Sequence, residues 1–346
     1  MKRFGNLILL AAFVATPVMA LQWQALPDTP PVPKDNPTTA AKVELGKMLY
    51  FDPRFSSTGT VSCNSCHNVM LGGEDNRPVA VGVEGQKGGR SAPTVWNAAY
   101  LSVQFWDGRE PTLEAQAKGP VVNPIEMGME SHEMLVERRL RAIPGYRPYF
   151  EKAFGSGDVV NIDNFAKAIA AYERTLITPD SPYNRYVKGD KKALTAQQIA
   201  GMEKFAKVGC IGCHSGGAFA GPAKPLGEGF FMRFPTFTDN PYVEKYRLMD
   251  DGGRFEATGK ESDKHMWRVP TLLNIALTAP YFHNGAVETL DEAVRVMART
   301  QLGKELPEQD VADIVAFLNA LTGEFPKQTM PRLPATPAAV ISDIKK

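Results

Sequence analysis

Cys63-Asn64-Ser65-Cys66-His67 and Cys210-Ile211-Gly212-Cys213-His214 are the stretches on which the fold turns. Each reads C-x-x-C-H, the attachment signature of a c-type haem. Together they take all 4 cysteines and two of only 5 histidines. Each thiol can add to a haem vinyl group, and the histidine that follows is then held against the iron as an axial ligand. The spacing is short because both anchors and the ligand must reach one porphyrin from a single turn of chain. A lone C-x-x-C would fit a dithiol redox pair or half a zinc site. Zinc leaves the histidine after each pair unexplained. Two disulfides, which suit an exported chain, leave it unexplained as well. Two covalent haems imply electron handling.

The N-terminus agrees. Lys2 and Arg3 precede an apolar stretch from Leu7 to Val14, and Val18-Met19-Ala20 places small residues where a signal peptidase reads. The pattern predicts a secretory signal over 1–20, cleaved near Ala20. The apolar run is short for a membrane span, with an uncleaved anchor as the alternative. Haem attachment to C-x-x-C-H takes place outside the bacterial cytoplasm, so signal and motif both point to the periplasm.

The 346 residues suggest two domains, with one haem motif in each half. The division reads 21–190 for an N-terminal domain, 191–330 for a C-terminal one and 331–346 for a tail. The last helix, over about 308–330, is placed to pack back on the first domain. A net charge of +1 gives no basis for a nucleic-acid partner. The 43% hydrophobic content suffices for packed cores. The 30 glycines and 27 prolines cluster between helical patterns, which suggests helices joined by long ordered loops around cofactors.

Residues 21–37 hold five prolines and read as an extended, mobile arm. Ala41, Leu45, Met48 and Leu49 form a helical stripe before the first motif. Asp163 is placed to cap a helix with the stripe Phe165, Ile169, Tyr172 and Leu176. Thr195 with Gln198 resembles a capping box, and that helix leads into the second motif. Thr289 with Glu292 makes another. A last helix spans about 308–321, with Gly323 as its stop. Alternating strands are absent. The fold class expected is mainly α: two cytochrome c-like domains, each packed around one covalently bound haem.

Beyond these motifs, a series of segments resembles the bacterial dihaem cytochrome c peroxidase family, which includes the MauG-type enzymes. They are Gly72-Gly73, Ala92-Pro93-Thr94-Val95, Gln104 to Arg109, Gln116 to Pro120, Asn123 to Met127, Arg268 to Leu272, Ala279 to Gly285 and the Met297 region. The resemblance implies a peroxidatic N-terminal haem and a high-potential C-terminal haem where electrons enter. Cys63, Cys66, Cys210 and Cys213 would anchor them. His67 and His214 match the proximal ligands. Met297 matches the thioether partner of the second iron, a ligand that raises the potential; by itself it also fits a helix core. Gln116 and Glu126 fall on the distal pocket positions. A carboxylate beside an open coordination site can carry the proton that peroxide must move, and an amide can orient the peroxide. Trp106 lies where the family places an aromatic relay between the haems.

Two departures stand out. Many members carry a histidine in a Gly-His-Gly loop that blocks the peroxidatic iron; here the loop reads Gly82-Val83-Glu84-Gly85-Gln86, and valine cannot ligate iron. His132 is the nearest unassigned histidine and reads as a surface residue. The family also often binds calcium between its domains. Thr278 and Pro280 match the carbonyl ligands, but Ser91 stands where asparagine is usual, and serine is the weaker oxygen ligand. His283 has no assigned role, and His265 and Arg268 fit either haem propionate contacts or the surface.

The resemblance implies a peroxidase reducing hydrogen peroxide to water with electrons from a small periplasmic cytochrome c or cupredoxin, as a homodimer. A MauG-like oxidase of a partner protein's aromatic side chains is the first rival; Met297 argues against it, because that type carries tyrosine there. A non-enzymatic dihaem electron carrier is the second, and it lacks an evident sixth ligand for the first iron.

Overall fold

The computed structural model describes residues 23–344, so the expected signal at 1–20 lies outside the described residues. Five helices of twelve or thirteen residues build the frame: α1 (Ala40–Phe51), α2 (Ile162–Glu173), α3 (Ala196–Val208), α4 (Leu290–Leu302) and α5 (Glu308–Asn319). Among the described residues, regular sheet is limited to one antiparallel pair, β1 (Phe231–Arg233) with β2 (Met266–Arg268). The chain is mainly α, as the sequence indicates.

Each half repeats one device. The helix before the haem motif crosses a later helix at a glycine. A Cβ on Gly46 of α1 would lie 1.8 Å from the Ala168 carbonyl oxygen of α2. A Cβ on Gly201 of α3 would lie 1.8 Å from the Asp313 carbonyl oxygen of α5. Such close crossing lets the apolar faces interdigitate. Leu45, Met48 and Leu49 meet Phe165 and Ile169 in the first core, and Met202 and Phe205 meet Ile314, Phe317 and Leu318 in the second. Gly201→Ala should therefore push α3 off α5. Overpacking against a backbone carbonyl belongs at the upper end of such costs, roughly 3 kcal/mol. Chemical denaturation should show the loss as a lower midpoint; an unchanged midpoint would mean that the crossing opens freely.

Helix starts follow the sequence with two changes. Thr195 and Gln198 form the expected box. Asn161, not Asp163, caps α2, its Oδ1 accepting from Asn164 N at 2.9 Å. Asp163 sits instead in the first turn, where a carboxylate suits the helix dipole, and pairs with Lys118. Thr289 caps α4, but Glu292 does not close a box; its carboxylate accepts from Tyr246 Oη at 2.5 Å.

The chain ends exchange halves. The Pro-rich arm is anchored, contrary to the expectation of mobility. Trp23 packs among the rings of Tyr183, Phe205, Phe219 and Phe317 in the second core. Leu26 N donates to Asn184 Oδ1 at 2.9 Å. The arm then enters the first half, where Asn36 Nδ2 donates to Glu114 Oε1 at 2.7 Å. The closing stretch runs the other way. Helix α5 ends at Asn319 and packs on α3, not on the first half as expected. The extended chain after it makes the return. Phe325 stands edge-on to Trp96 at 4.7 Å, and Arg54 Nη1 donates to the Pro334 carbonyl at 2.8 Å. Val340, in the helix Ala338–Ile344, is buried in the first core.

Candidate active site and cofactor cavities

Each motif forms one tight turn. Cys63–Cys66 is a helical turn whose start is closed reciprocally by Ser62 and Ser65. His67 N donates to the Cys63 carbonyl at 2.9 Å, and His214 N donates to the Cys210 carbonyl at 2.9 Å. Two cysteines and one histidine therefore share a turn in both halves. Gly209, at φ +114, makes the reversal from α3 into the second motif, a conformation that favours glycine.

The two rings are held the same way. His67 Nδ1 lies 2.9 Å from the Pro93 carbonyl, and His214 Nδ1 lies 3.1 Å from the Phe219 carbonyl. A carbonyl only accepts, so Nδ1 carries the proton and Nε2 keeps its lone pair for a metal. Burial lowers the pKa of both rings, which keeps them neutral. The four cysteines are free, without disulfides. Burial pushes the thiol of Cys63 up to about 12, that of Cys66 to about 11 and that of Cys210 to about 11. Among the described residues, no three His, Cys, Asp or Glu side chains converge as a metal site.

A cavity faces each motif. The first, with about 1240 Å³ of atom-free space including its mouth, has His67, Cys66, Gln116 and Glu126 in its walls. The second, about 1180 Å³, is lined by Cys210, His214 and Met297 among apolar side chains. A smaller adjoining cavity of about 690 Å³ is lined by Cys213 and again by His214 and Met297. Trp106 borders all three, and its Nε1 donates to the Ser91 carbonyl at 2.9 Å. Cys63 packs at the edge of the first core rather than in the cavity wall. The neutral imidazoles, the free thiols and the largely apolar walls fit haem.

The turn Leu113–Gln116 and the loop 123–127 bring Gln116 and Glu126 to the first cavity. Glu126 Oε1 accepts from Asn123 Nδ2 at 2.9 Å. Burial lifts the Glu126 carboxyl above the usual range, against the opposing pull of Arg109 and Asn123. The Arg109 guanidinium lies 3.4 Å over the Phe105 ring and bonds Asp107 at 2.8 Å. Val83 N donates to the Glu126 carbonyl at 3.0 Å, while the Val83 side chain is buried in the first core. That loop thus supplies no ligand through residue 83. His132 is half-buried, with Nε2 2.9 Å from the Lys118 carbonyl, and does not border the cavity.

Ser91, Thr278 and Pro280 all border the second cavity. His265 and Arg268 are interior residues, so the surface reading fails for both. Burial lowers Arg268 to about 10, and its Nε donates to the Phe105 carbonyl at 3.0 Å. His283 is buried, stacks on Trp267 at 4.2 Å and leaves Nε2 without a partner. Burial pushes it down to about 4, so it stays neutral. Three further groups escaped sequence reasoning. Arg90 ties Asp107 to Asp251 at 2.6 and 2.7 Å beside the Trp267 ring. Glu173 borders the first cavity and Glu74 the second; burial raises each carboxyl to about 8. Only their placement within apolar runs or turns would have marked them, and that is a weak signal.

Comparison with known proteins agrees with this geometry. The family model of di-haem cytochrome c peroxidase matches residues 40–192. The chain is 45% identical to cytochrome c551 peroxidase of Pseudomonas aeruginosa, over 96% of this chain and 95% of that protein. It is 35% identical to the methylamine utilization protein MauG of Methylorubrum extorquens, over 89% of this chain and 86% of that one. Among solved structures, a MauG-like protein associated with microbial copper homeostasis superposes with a TM-score of 0.75 at 30% identity, covering 86% of this chain and 95% of that one. The chain belongs to the di-haem cytochrome c peroxidase family.

Proposed function

We propose that this protein reduces hydrogen peroxide to water in the periplasm, taking electrons from a small cytochrome c or cupredoxin. The observation that carries this reading is the placing of Gln116 and Glu126 in the cavity of His67, with Trp106 bordering that cavity and the one of His214. Bound haem would supply redox-active iron in each half. His67 and His214 would hold the groups through Nε2, with Cys63, Cys66, Cys210 and Cys213 as thioether anchors and Met297 as a further ligand in the C-terminal half. Gln116 orients peroxide by hydrogen bonds. Glu126 takes the proton from the nearer peroxide oxygen and returns it to the farther one, so that water leaves. Trp106 lies on the path between the halves. The halves are 21–190 and 191–330, with calcium at the Thr278 and Pro280 carbonyls beside Ser91 and a homodimer as the working form. Among the described residues, no helix is long and apolar enough to cross a membrane.

The test is turnover: holoenzyme with a reduced cytochrome c should consume peroxide, with two donor electrons oxidised per peroxide. The mature chain should also carry the mass of two haems after acid denaturation. One haem, or no turnover, would overturn the reading. Because Val83 is buried and offers no lone pair, the fully oxidised enzyme should react with peroxide without prior reduction, and its paramagnetic resonance spectrum should hold one high-spin signal. Two low-spin signals and a lag relieved by reduction would mean that another residue blocks the first centre.

A further inference from the structure

We infer that the side chain anchoring calcium in this protein is the Glu74 carboxylate, and that Ser91 is at most an auxiliary ligand. The inference rests on the calcium reading above and changes its ligand set and charge.

Four observations carry it. First, Glu74 borders the same cavity as Ser91, Thr278 and Pro280, and it is 2% exposed. Second, it is a buried carboxylate without a cation. Among the described residues no Arg or Lys pairs with it, and Asn76 Nδ2 alone donates to it, to Oε1 at 2.8 Å. Ionising a buried carboxyl without a countercharge is costly, and a divalent cation that displaces its proton offsets that cost. Third, the same Asn76 amide takes the carbonyls of Leu277 and Ala279, at 3.3 and 3.0 Å. The alternate carbonyls, of Thr278 and Pro280, accept no hydrogen bond among the described residues. Fourth, the loop is seated on purpose-shaped backbone. Gly72, at φ +94, lies against Leu277, where a Cβ would meet its carbonyl oxygen at 2.8 Å. Gly73, at φ +86, lies against Thr94, where a Cβ would meet Oγ1 at 2.6 Å. The two glycines thus place Glu74 between the segment of Thr278 and Pro280 and the segment that follows Ser91.

The chemistry favours this donor. Calcium prefers carboxylate to hydroxyl, and oxygen sites gain affinity with ligand charge. A carboxylate, two backbone carbonyls and water make such a site with a single acidic side chain. The glutamate stem also reaches farther than serine, whose oxygen sits one bond beyond Cβ.

The experiment uses holoenzyme stripped with a chelator and titrated with calcium chloride by calorimetry. Glu74→Gln, which keeps the volume, should weaken calcium binding on the order of 100-fold, while Ser91→Ala should change it by no more than about 3-fold. Thermal unfolding supplies a second readout with a sign that mere packing would not give. Without calcium, Glu74→Gln should unfold at or above the wild type, because the carboxyl has no cationic partner to lose. With calcium in excess, the order should reverse, since only the wild type gains from binding. Glu74→Ala with Ser91→Asn should recover part of the affinity. If Ser91→Ala abolishes binding and Glu74→Gln does not, the assignment to Glu74 is overturned while calcium stands. If the wild type binds no calcium, both fall.

Discussion

Replacing Glu126 by Gln should slow peroxide turnover by about 10²–10⁴-fold, the usual range for loss of one positioned acid–base group. The substitution keeps the volume, and the amide can still accept from Asn123 Nδ2, which now bonds the carboxylate at 2.9 Å. Both haem absorption spectra should therefore stay close to wild type, and peroxide affinity should fall far less than rate. The pH profile gives the sign. With the ionised carboxylate as the proposed base, activity should be lost as pH falls through its pKa. Burial raises that pKa, which sets the acid limb of kcat/KM above that of an ordinary glutamate. Arg109 and the Asn123 hydrogen bond pull the other way, so Asn123→Ala should move the limb further up. Wild-type turnover in Glu126→Gln would assign the proton to another group.

What could be read from the sequence was local, and what could not was distant. Each haem motif is a single turn, and its two cysteines and histidine act together without help from the rest of the chain. The Thr195 capping box is equally local. The Asn161 cap was missed because Asn161 and Asp163 are both good cap residues, and only the packing of α2 decides between them. The arm at 21–37 read as free because prolines break regular structure, yet Trp23 finds four rings more than a hundred positions away. Arg90 and Asp251 are likewise 161 positions apart, and no periodicity marks such a pair. The same holds for Glu74. Its meaning depends on carbonyls near residue 280, which only the fold brings to it. Only the resemblance singles out Gln116 and Glu126, and the fold sets them beside one cavity.

Met297→His should lower the potential of the C-terminal centre by a sizeable part of the roughly 0.8 V that axial ligands span. Imidazole donates to ferric iron more strongly than a thioether does, so it stabilises the oxidised form. Met297 borders the cavity of His214 and also packs against the apolar cluster of Ala293 and Val296, so both roles are open to it. Met297 stands on α4 beside Val294 and Ala298, one helical face turned to the cavity of His214, and it borders the adjoining cavity that His214 also lines. The deep core positions of that helix are instead Val296 and Thr300, both fully buried. Electron entry from the donor should slow in Met297→His, while peroxide binding in the first half stays intact. Met297→Leu separates the two roles, since it keeps the bulk and removes the sulfur. It should turn the second centre high-spin, whereas a packing methionine would leave the spectrum unchanged. An unaltered midpoint in redox titration of both variants would show that Met297 fills space and that the second ligand comes from elsewhere.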